Sequence, residues 1–151
     1  PQKELYDVIL YIDVIEHIQN DKEEILLASR HLRDGGVLII LVPAHQWLFS
    51  PFDRVLGHYR RYRKATLSSL IPVTMEIKQL FYLDIVGVLV SLVNKLFLKQ
   101  QYPTQKQILF WDKFIIGASR KVDFLARGFC GRSLIGIAEK IPATGDTGVA
   151  R

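Results

Sequence analysis

Two carboxylates and an imidazole lie close together near the start of the chain. Asp13, Glu16 and His17 directly follow an apolar run at residues 5–12. Carboxylate oxygens and a neutral imidazole suit Mg²⁺, Mn²⁺ or Zn²⁺, and an imidazole can also serve as a general base near neutral pH. Such residues also occur without an ion, with Glu16 as a structural hydrogen-bonding partner and Asp13 as a helix cap. The sequence therefore predicts His17 as a base and no metal, and keeps Asp13, Glu16 and His17 as the alternative ligand set.

A second pair of candidate residues, His45 and Trp47, follows another apolar run at residues 37–42. Loops that leave the carboxyl end of a buried parallel strand are where open α/β folds place ligands. An imidazole and an aromatic ring there could orient an acceptor or remove its proton. The sequence predicts His45 as a second base and Trp47 as an acceptor contact. A loop that packs its aromatic side chains on the sheet remains the alternative.

A cluster of cations interrupted by tyrosines follows at residues 58–64. Its members are Arg60, Arg61, Arg63 and Lys64, with Tyr59 and Tyr62 between them. Guanidinium groups bind phosphate or carboxylate bidentately, which favours a small anionic substrate in contact with Tyr59, Arg60 and Arg61. Nucleic-acid sites and solvated turns with a tyrosine packed beneath show the same mixture. Because the cluster is short and no nucleic-acid module is recognisable, nucleic acid is the least favoured partner, and the solvated turn stays open.

The most apolar stretch covers residues 85–98 and is shorter than the ~20 residues that span a bilayer. Lys95 and Lys99 at its end would suit a helix that lies on an anionic membrane surface. A buried helix or a homodimer contact explains the same pattern, and length alone does not separate these interpretations. Burial is the favoured one.

Hydrophobic periodicity predicts the elements that must position these groups. It indicates strands at residues 5–12, 37–42, 75–82 and 133–140, the first of them buried on both faces. Helices are expected from residue 21 to a stop at Gly35, at 65–71, at 84–99 and at 105–127, with Asp21 as the first helix cap. The first two strands and the helix between them form a right-handed βαβ unit. Residues 44–57 are expected to form a long loop and residues 143–151 a disordered tail.

Length and composition indicate one domain, which the βαβ pattern makes α/β, and we expect it to cover residues 1–142. Of the 151 residues, 49% are hydrophobic and 23% charged, which is too apolar for disorder. Residues 1–50 carry 4 basic and 8 acidic side chains, whereas residues 51–151 carry 16 and 7, so the later part favours an anionic ligand or surface. A single cysteine, Cys130, excludes an intrachain disulfide framework and any multi-cysteine metal cage. It agrees with a reducing compartment, which predicts a cytoplasmic protein or one peripherally attached to a membrane.

Four short motifs occur in order along the first 43 residues: YDVIL at residues 6–10, DVIEHI at 13–18, LRDGG at 32–36 and the apolar run that ends at Pro43. Together they resemble the second half of a class I S-adenosylmethionine-dependent methyltransferase. Each is weak alone, and their order and spacing make the match fairly specific. The segment HYRRY at residues 58–62 resembles one that is common in a bacterial subset of these enzymes.

The resemblance implies a partial Rossmann-like sheet, mainly parallel with one reversed strand and with helices on both faces. It implies that the strands at 5–12, 37–42, 133–140 and 75–82 lie in that spatial order, with an unpaired edge on the first and a helical insertion at about 84–127. It also implies S-adenosylmethionine as cofactor, bordered by Tyr11, Ile12 and Asp13. The family's glycine-rich cofactor turn has no counterpart in this chain. We therefore expect the chain to be the C-terminal part of a longer enzyme, inactive or weak by itself.

The function that the resemblance predicts is methyl transfer to an unidentified, small and anionic acceptor. Two alternatives from other classes remain open, a non-catalytic binding module and a peripheral membrane protein. The first follows from the missing glycine turn, and the second from the apolar stretch at residues 85–98.

Overall fold

A computed structural model describes residues 4–93 and 130–142. Its strands are β1 (Tyr6–Ile12), β2 (Leu32–Pro43), β3 (Met75–Leu83) and β4 (Ser133–Lys140). Its helices are α1 (Asp21–His31), α2 (Pro51–Val55), α3 (Lys64–Ser68) and α4 (Ile85–Val93), with single 3-10 turns at Ile15–His17 and Gln46–Leu48. The predicted first helix and all four predicted strands are confirmed, with shifted ends.

The four strands form one sheet in the order β1-β2-β4-β3. β1 and β2 are parallel, whereas β4 runs antiparallel to both of its neighbours. β4 is therefore the one reversed strand of an otherwise parallel sheet, and the predicted order and direction are confirmed. This topology brings the carboxyl ends of β1, β2 and β3 to the same edge as the first residue of β4.

One face of the sheet is covered by α1 and α3. Ile25 and Ala28 of α1 belong to the same buried cluster as Leu38 and Ile40 of β2. On β4, a Cβ atom on Gly136 would lie 3.1 Å from a methyl carbon of Leu67 in α3. A Cβ atom at position 136 would require the Leu67 side chain to shift by a few tenths of an ångström, and glycine permits the close approach without it.

The other face of β1 is uncovered in the described part of the chain. On this face, Val8, Leu10 and Ile12 are 51%, 56% and 53% exposed. By contrast, the alternate residues of β2 that face α1 are fully buried. The expectation that β1 is buried on both faces is therefore wrong, because nothing described packs on its outer face. The expected unpaired edge of β1 is confirmed among residues 4–93 and 130–142.

Two local predictions need correction. Helix α1 ends at His31, four residues before Gly35, and its N-cap is Asn20 rather than Asp21. Gly35 adopts a left-handed conformation (φ 75°) inside an irregular stretch of β2, where the register with β1 shifts. The stretch at 44–57 is not a plain loop either, since Pro51 begins α2 behind a Ser50–Asp53 capping box.

The predicted helix at 105–127, the end of the one at 84–99 and the tail at 143–151 lie outside the described residues. So do residues 94–98 of the apolar stretch at 85–98. Among residues 4–93 and 130–142, no helix is both long and apolar enough to cross a membrane.

Candidate functional site

A cavity of about 280 Å³ opens where β1, β2 and β4 meet at the edge described above. Pro43 and Ser133 form its floor from the sheet, and Phe52 and Leu56 of the α2 region form an apolar side. Its polar side chains come from three separate segments and are Asp13, Glu16, His17, Asp53, His58, Arg61 and Arg132. The cavity is just below the roughly 300–1,000 Å³ of complete small-molecule pockets.

Asp13 marks the point where the chain leaves β1. It adopts a left-handed conformation (φ 51°), and its backbone N–H donates to the carbonyl of Leu41 at 2.9 Å. This conformation is uncommon for a residue with a side chain, and aspartate tolerates it better than most. The turn directs the chain over the end of the sheet, and the exposed Asp13 side chain lines the cavity.

Glu16 is fully buried, and neither of its carboxylate oxygens has a hydrogen-bond partner among the described residues. The expected role of Glu16 as a structural hydrogen-bonding partner is therefore wrong. Burial raises the pKa of this carboxyl and the nearby charge of Asp13 raises it further, while the backbone N–H of Glu16 itself and the charge of His17 oppose them. A buried carboxylate without partners is costly, and such groups call for an explanation.

Two imidazoles stand beside Glu16. The rings of His17 and His58 meet edge to face, with centroids 4.6 Å apart. Nε2 of His58 lies 4.0 Å from Oε1 of Glu16, and Nδ1 of His58 lies 3.1 Å from Oδ1 of Asp53. Burial lowers the pKa of His58, although Asp53 opposes that shift. His58 is therefore held in one orientation by Asp53 while its other ring nitrogen faces Glu16.

Backbone contacts fix this arrangement, although Glu16 and Tyr59 lie 43 positions apart in the sequence. Gly57 adopts a left-handed turn (φ 82°), and the N–H of His58 donates to the carbonyl of Asp53 at 2.9 Å. The N–H of Tyr59 donates to the carbonyl of Glu16 at 2.8 Å. These contacts hold the residues after α2 against the 3-10 turn that carries Glu16 and His17.

Two of the four cations of the basic cluster, Arg60 and Arg61, are paired with carboxylates. Nε and Nη2 of Arg61 donate to the two oxygens of Asp53 at 2.8 and 3.0 Å, and Nη1 of Arg60 lies 2.8 Å from Oδ2 of Asp21. Arg60 also donates to the carbonyl of Gln19. Tyr62 is buried beneath them and donates to Asp21, whereas Tyr59 is exposed. The structure thus gives both predicted anion contacts, Arg60 and Arg61, intramolecular partners.

His45 and Trp47 do not line the cavity with His17. His45 has a left-handed backbone (φ 61°), stacks on Tyr82 with ring centroids 4.7 Å apart, and lies 5.7 Å from the ring of Trp47. Its Nε2 is 3.5 Å from Sγ of Cys130. Burial lowers the pKa of His45, and the charges of Arg63 and Arg61 lower it further. The two predicted bases therefore occupy different surroundings.

Of the three predicted cofactor contacts, only Asp13 lines the cavity. The hydroxyl of Tyr11 donates to the Glu24 carboxylate on α1, and Tyr11 faces an open groove along β1. Ile12 is 53% exposed and pairs with Leu41.

The sequence interpretation missed Asp53 and His58 as site residues. The signal for Asp53 was the pattern Ser-Pro-x-Asp at residues 50–53, which is typical of a helix start. His58 was absorbed into the basic cluster, and no local pattern relates it to Glu16.

No protein-family model matches the chain, and no curated protein matches it. Three solved structures are similar. A candidate methyltransferase from Bacillus halodurans shares 15% identity with a TM-score of 0.53, over 92% of this chain and 66% of that one. The YcgJ protein from Bacillus subtilis shares 11% identity with a TM-score of 0.51, over 93% and 66%. A SAM-dependent methyltransferase from Archaeoglobus fulgidus shares 14% identity with a TM-score of 0.44, over 91% and 61%.

These likenesses concern the fold. The resemblance to class I methyltransferases is confirmed at that level, since the chain has a partial Rossmann-like α/β fold similar to that of the two Bacillus proteins. The chain spans about two thirds of the length of each of them, 66% in both comparisons.

Proposed function

We propose that this chain is part of an S-adenosylmethionine-dependent methyltransferase that acts on a small-molecule acceptor. The observation that carries the proposal is the four-strand sheet with one reversed strand, which matches the Bacillus halodurans protein over 92% of the chain at a TM-score of 0.53. A fold alone does not fix a function, so the site must support it as well.

The negative charge and the apolar surface of the cavity fit one part of the cofactor. S-adenosylmethionine carries a positive sulfonium and an ammonium group, and Asp13 presents an exposed carboxylate at the carboxyl end of β1. Phe52 and Leu56 add apolar surface on the opposite side. The carboxyl ends of parallel strands are also where open α/β sheets bind their ligands. These features support Asp13 as the cofactor contact of this chain, with Ile12 and Tyr11 beside it on β1.

When bound, the cofactor supplies a methyl group on a cationic sulfur, which an oxygen, nitrogen or carbon lone pair of the acceptor attacks while the carbon–sulfur bond breaks. The protein's contribution is positioning and exclusion of water, with a base only where the acceptor must lose a proton. His17 is our candidate for that base, since it is exposed at the cavity. His45 is the second candidate, on the β2 side of the site.

For the acceptor we propose contacts from Trp47 and Tyr59, which are 43% and 54% exposed. Arg60 and Arg61 remain predicted contacts to an anionic acceptor. Because both already pair with carboxylates, an acceptor anion would have to share or displace Asp21 or Asp53.

We further propose that the rest of the cofactor site comes from sequence that precedes this chain in a longer protein. The small cavity, the uncovered outer face of β1 and the span of about two thirds of the Bacillus proteins all support this. A glycine-rich turn after an upstream strand would supply the missing wall.

Calorimetric titration with S-adenosylmethionine tests the proposal. We expect weak or undetectable binding by the chain alone, and clear binding by the protein extended with its upstream coding sequence. In the extended protein, Asp13→Asn should weaken binding about tenfold or more, because it removes the charge that faces the cationic ligand. Asp7→Asn is the matched control, since Asp7 lies on the same strand near its amino end, away from the cavity, and pairs with Arg33.

The control should bind like the unmodified protein. If the extended protein does not bind S-adenosylmethionine at all, the proposed function is wrong. If it binds but Asp13→Asn has no effect, the assignment of Asp13 is wrong while the function stands.

A further inference from the structure

We propose that Glu16, His17 and His58 form a binding site for a divalent transition-metal ion. Each residue offers one ligand atom, and these atoms all lie within 4.8 Å of one another. Carboxylate plus two imidazoles is a ligand set that suits Zn²⁺ and its first-row neighbours better than Mg²⁺. The inference goes beyond methyl transfer and does not depend on it. While an ion is bound, His17 is a ligand rather than a base, so the base proposed for methyl transfer is then His45.

The strongest observation is the state of Glu16. Its side chain is completely buried, lines the cavity, and leaves both oxygens without a hydrogen-bond partner among the described residues. Burying a carboxylate without compensation is expensive, and proteins normally pair such a group or use it to bind a metal. Arg61, a cation that lines the same cavity, is bound to Asp53 instead. A metal ion would supply the missing partner.

His58 has the surroundings of a metal ligand. Metal-binding histidines usually give their second ring nitrogen to a carboxylate or carbonyl, which fixes the ring and its tautomer. In His58, Nδ1 contacts Asp53 at 3.1 Å, so Nε2 is the nitrogen that faces the cluster. Asp53 is itself fixed by Arg61 and by the backbone N–H and hydroxyl of Ser50. The ligand is therefore oriented by a chain of buried contacts.

The spacing is compatible with one ion. Metal–ligand distances of about 2.1 Å allow two ligands of the same ion to lie at most ~4.2 Å apart. The 4.0 Å between Nε2 of His58 and Oε1 of Glu16 falls within that limit, whereas the three ligand atoms together lie only within 4.8 Å of one another, so binding one ion requires the His17 ring to move closer. His17 is exposed, so its ring can rotate toward the ion, and the open cavity leaves room for water or another ligand.

The structure thus revises the ligand set that the sequence suggested. Asp13 lines the same cavity, but the cluster with suitable distances contains His58 in its place. His58 could not be included from local spacing because it lies 41 residues from His17.

Titration of the metal-free 151-residue chain with Zn²⁺ alone tests the site. We expect one saturable site by calorimetry and a rise in Tm on adding Zn²⁺, because an ion that binds only the folded state stabilises it. His58→Gln and Glu16→Gln should each weaken Zn²⁺ binding at least tenfold. Asp53→Asn should weaken it less, since it acts through the orientation of His58.

Two further measurements separate a metal site from loss of folding and from surface binding. Glu16→Gln removes a buried charge without changing shape, so its Tm without metal should equal or exceed that of the unmodified chain. His31→Gln, on α1, removes a histidine outside the cluster and should leave Zn²⁺ binding unchanged. The proposal is overturned if the unmodified chain shows no saturable Zn²⁺ binding, or if the Glu16 and His58 variants bind as it does. Failure of this test leaves S-adenosylmethionine binding by the extended protein unaffected, so the two proposals fail separately.

Discussion

The guanidinium of Arg61 donates two hydrogen bonds to the Asp53 carboxylate, from Nε to Oδ1 at 2.8 Å and from Nη2 to Oδ2 at 3.0 Å. Both side chains are almost completely buried, at 7% and 1% exposure. Burial alone would raise the pKa of Asp53, but the hydrogen bonds and charge of Arg61, with the Ser50 donors, hold it below its usual range. The same carboxylate completes the capping box at the start of α2 and orients His58. The Arg61–Asp53 pair therefore connects the fold to the candidate site.

Arg61→Met should therefore lower the free energy of unfolding by about 3–5 kcal/mol, the usual cost of leaving one partner of a buried ion pair uncompensated. Urea denaturation measures it. Arg54→Met is the matched control, because Arg54 is an exposed arginine on α2, and its loss should cost no more than about 0.5 kcal/mol. Equal effects of the two changes would show that the Arg61–Asp53 pair does not stabilise the fold.

Two nearby tyrosines, Tyr62 and Tyr59, should differ in how much their hydroxyl groups contribute to the free energy of unfolding. The hydroxyl of Tyr62 is buried and donates to Oδ2 of Asp21 at 2.8 Å, beneath Arg60. Tyr62→Phe should lower the free energy of unfolding by about 1–3 kcal/mol, because a buried carboxylate loses a hydrogen bond. Tyr59→Phe, at an exposed position, should change it by less than about 0.5 kcal/mol. Thermal or urea unfolding of both variants decides the point, and a larger effect at Tyr59 would contradict it.

His45 predicts a pH dependence with a definite sign. Burial and the charges of Arg63 and Arg61 hold its pKa below the ordinary 6.5 in the folded chain. The unfolded state therefore binds the proton more readily, and stability falls as the pH drops through about 6.5 toward the folded-state pKa. An NMR titration of the His45 ring should give a midpoint below 6.5.

His45→Asn provides the matching stability measurement, since asparagine tolerates the left-handed backbone at this position. Unfolding free energies at pH 5 and pH 7 should differ less in the variant than in the unmodified chain. A midpoint at or above 6.5, or an unchanged pH dependence, would contradict the prediction.

Substitutions on the outer face of β1 test whether sequence upstream of this chain covers that face. In this chain Leu10→Ala should have a small effect, because Leu10 is 56% exposed, whereas Leu38→Ala in the core should cost about 2–5 kcal/mol. In the protein extended upstream, we expect the cost of Leu10→Ala to rise by about 1–2 kcal/mol, because burial increases the apolar area that the leucine removes from water. An unchanged cost would show that the extension does not cover this face.

The resemblance supplied the reversed strand β4 and the order of all four strands. β1, α1 and β2 could be predicted without it, because continuous apolar runs separated by helix signals and the rules for connecting parallel strands can be read along the chain. For the same reason, Asp13 could be placed at the edge of the sheet where ligands bind.

Which polar groups meet at that end of the sheet is visible only in the folded chain. Arg61 carries the same charge whether it faces solvent or Asp53. No neighbouring residue in the sequence indicates that its guanidinium is already paired with a carboxylate. His58 reaches Glu16 because α2 and the left-handed turn at Gly57 return the chain to the 3-10 turn after β1. Long-range pairing of this kind depends on how elements pack, so the partners of a buried charge appear only when the fold is assembled.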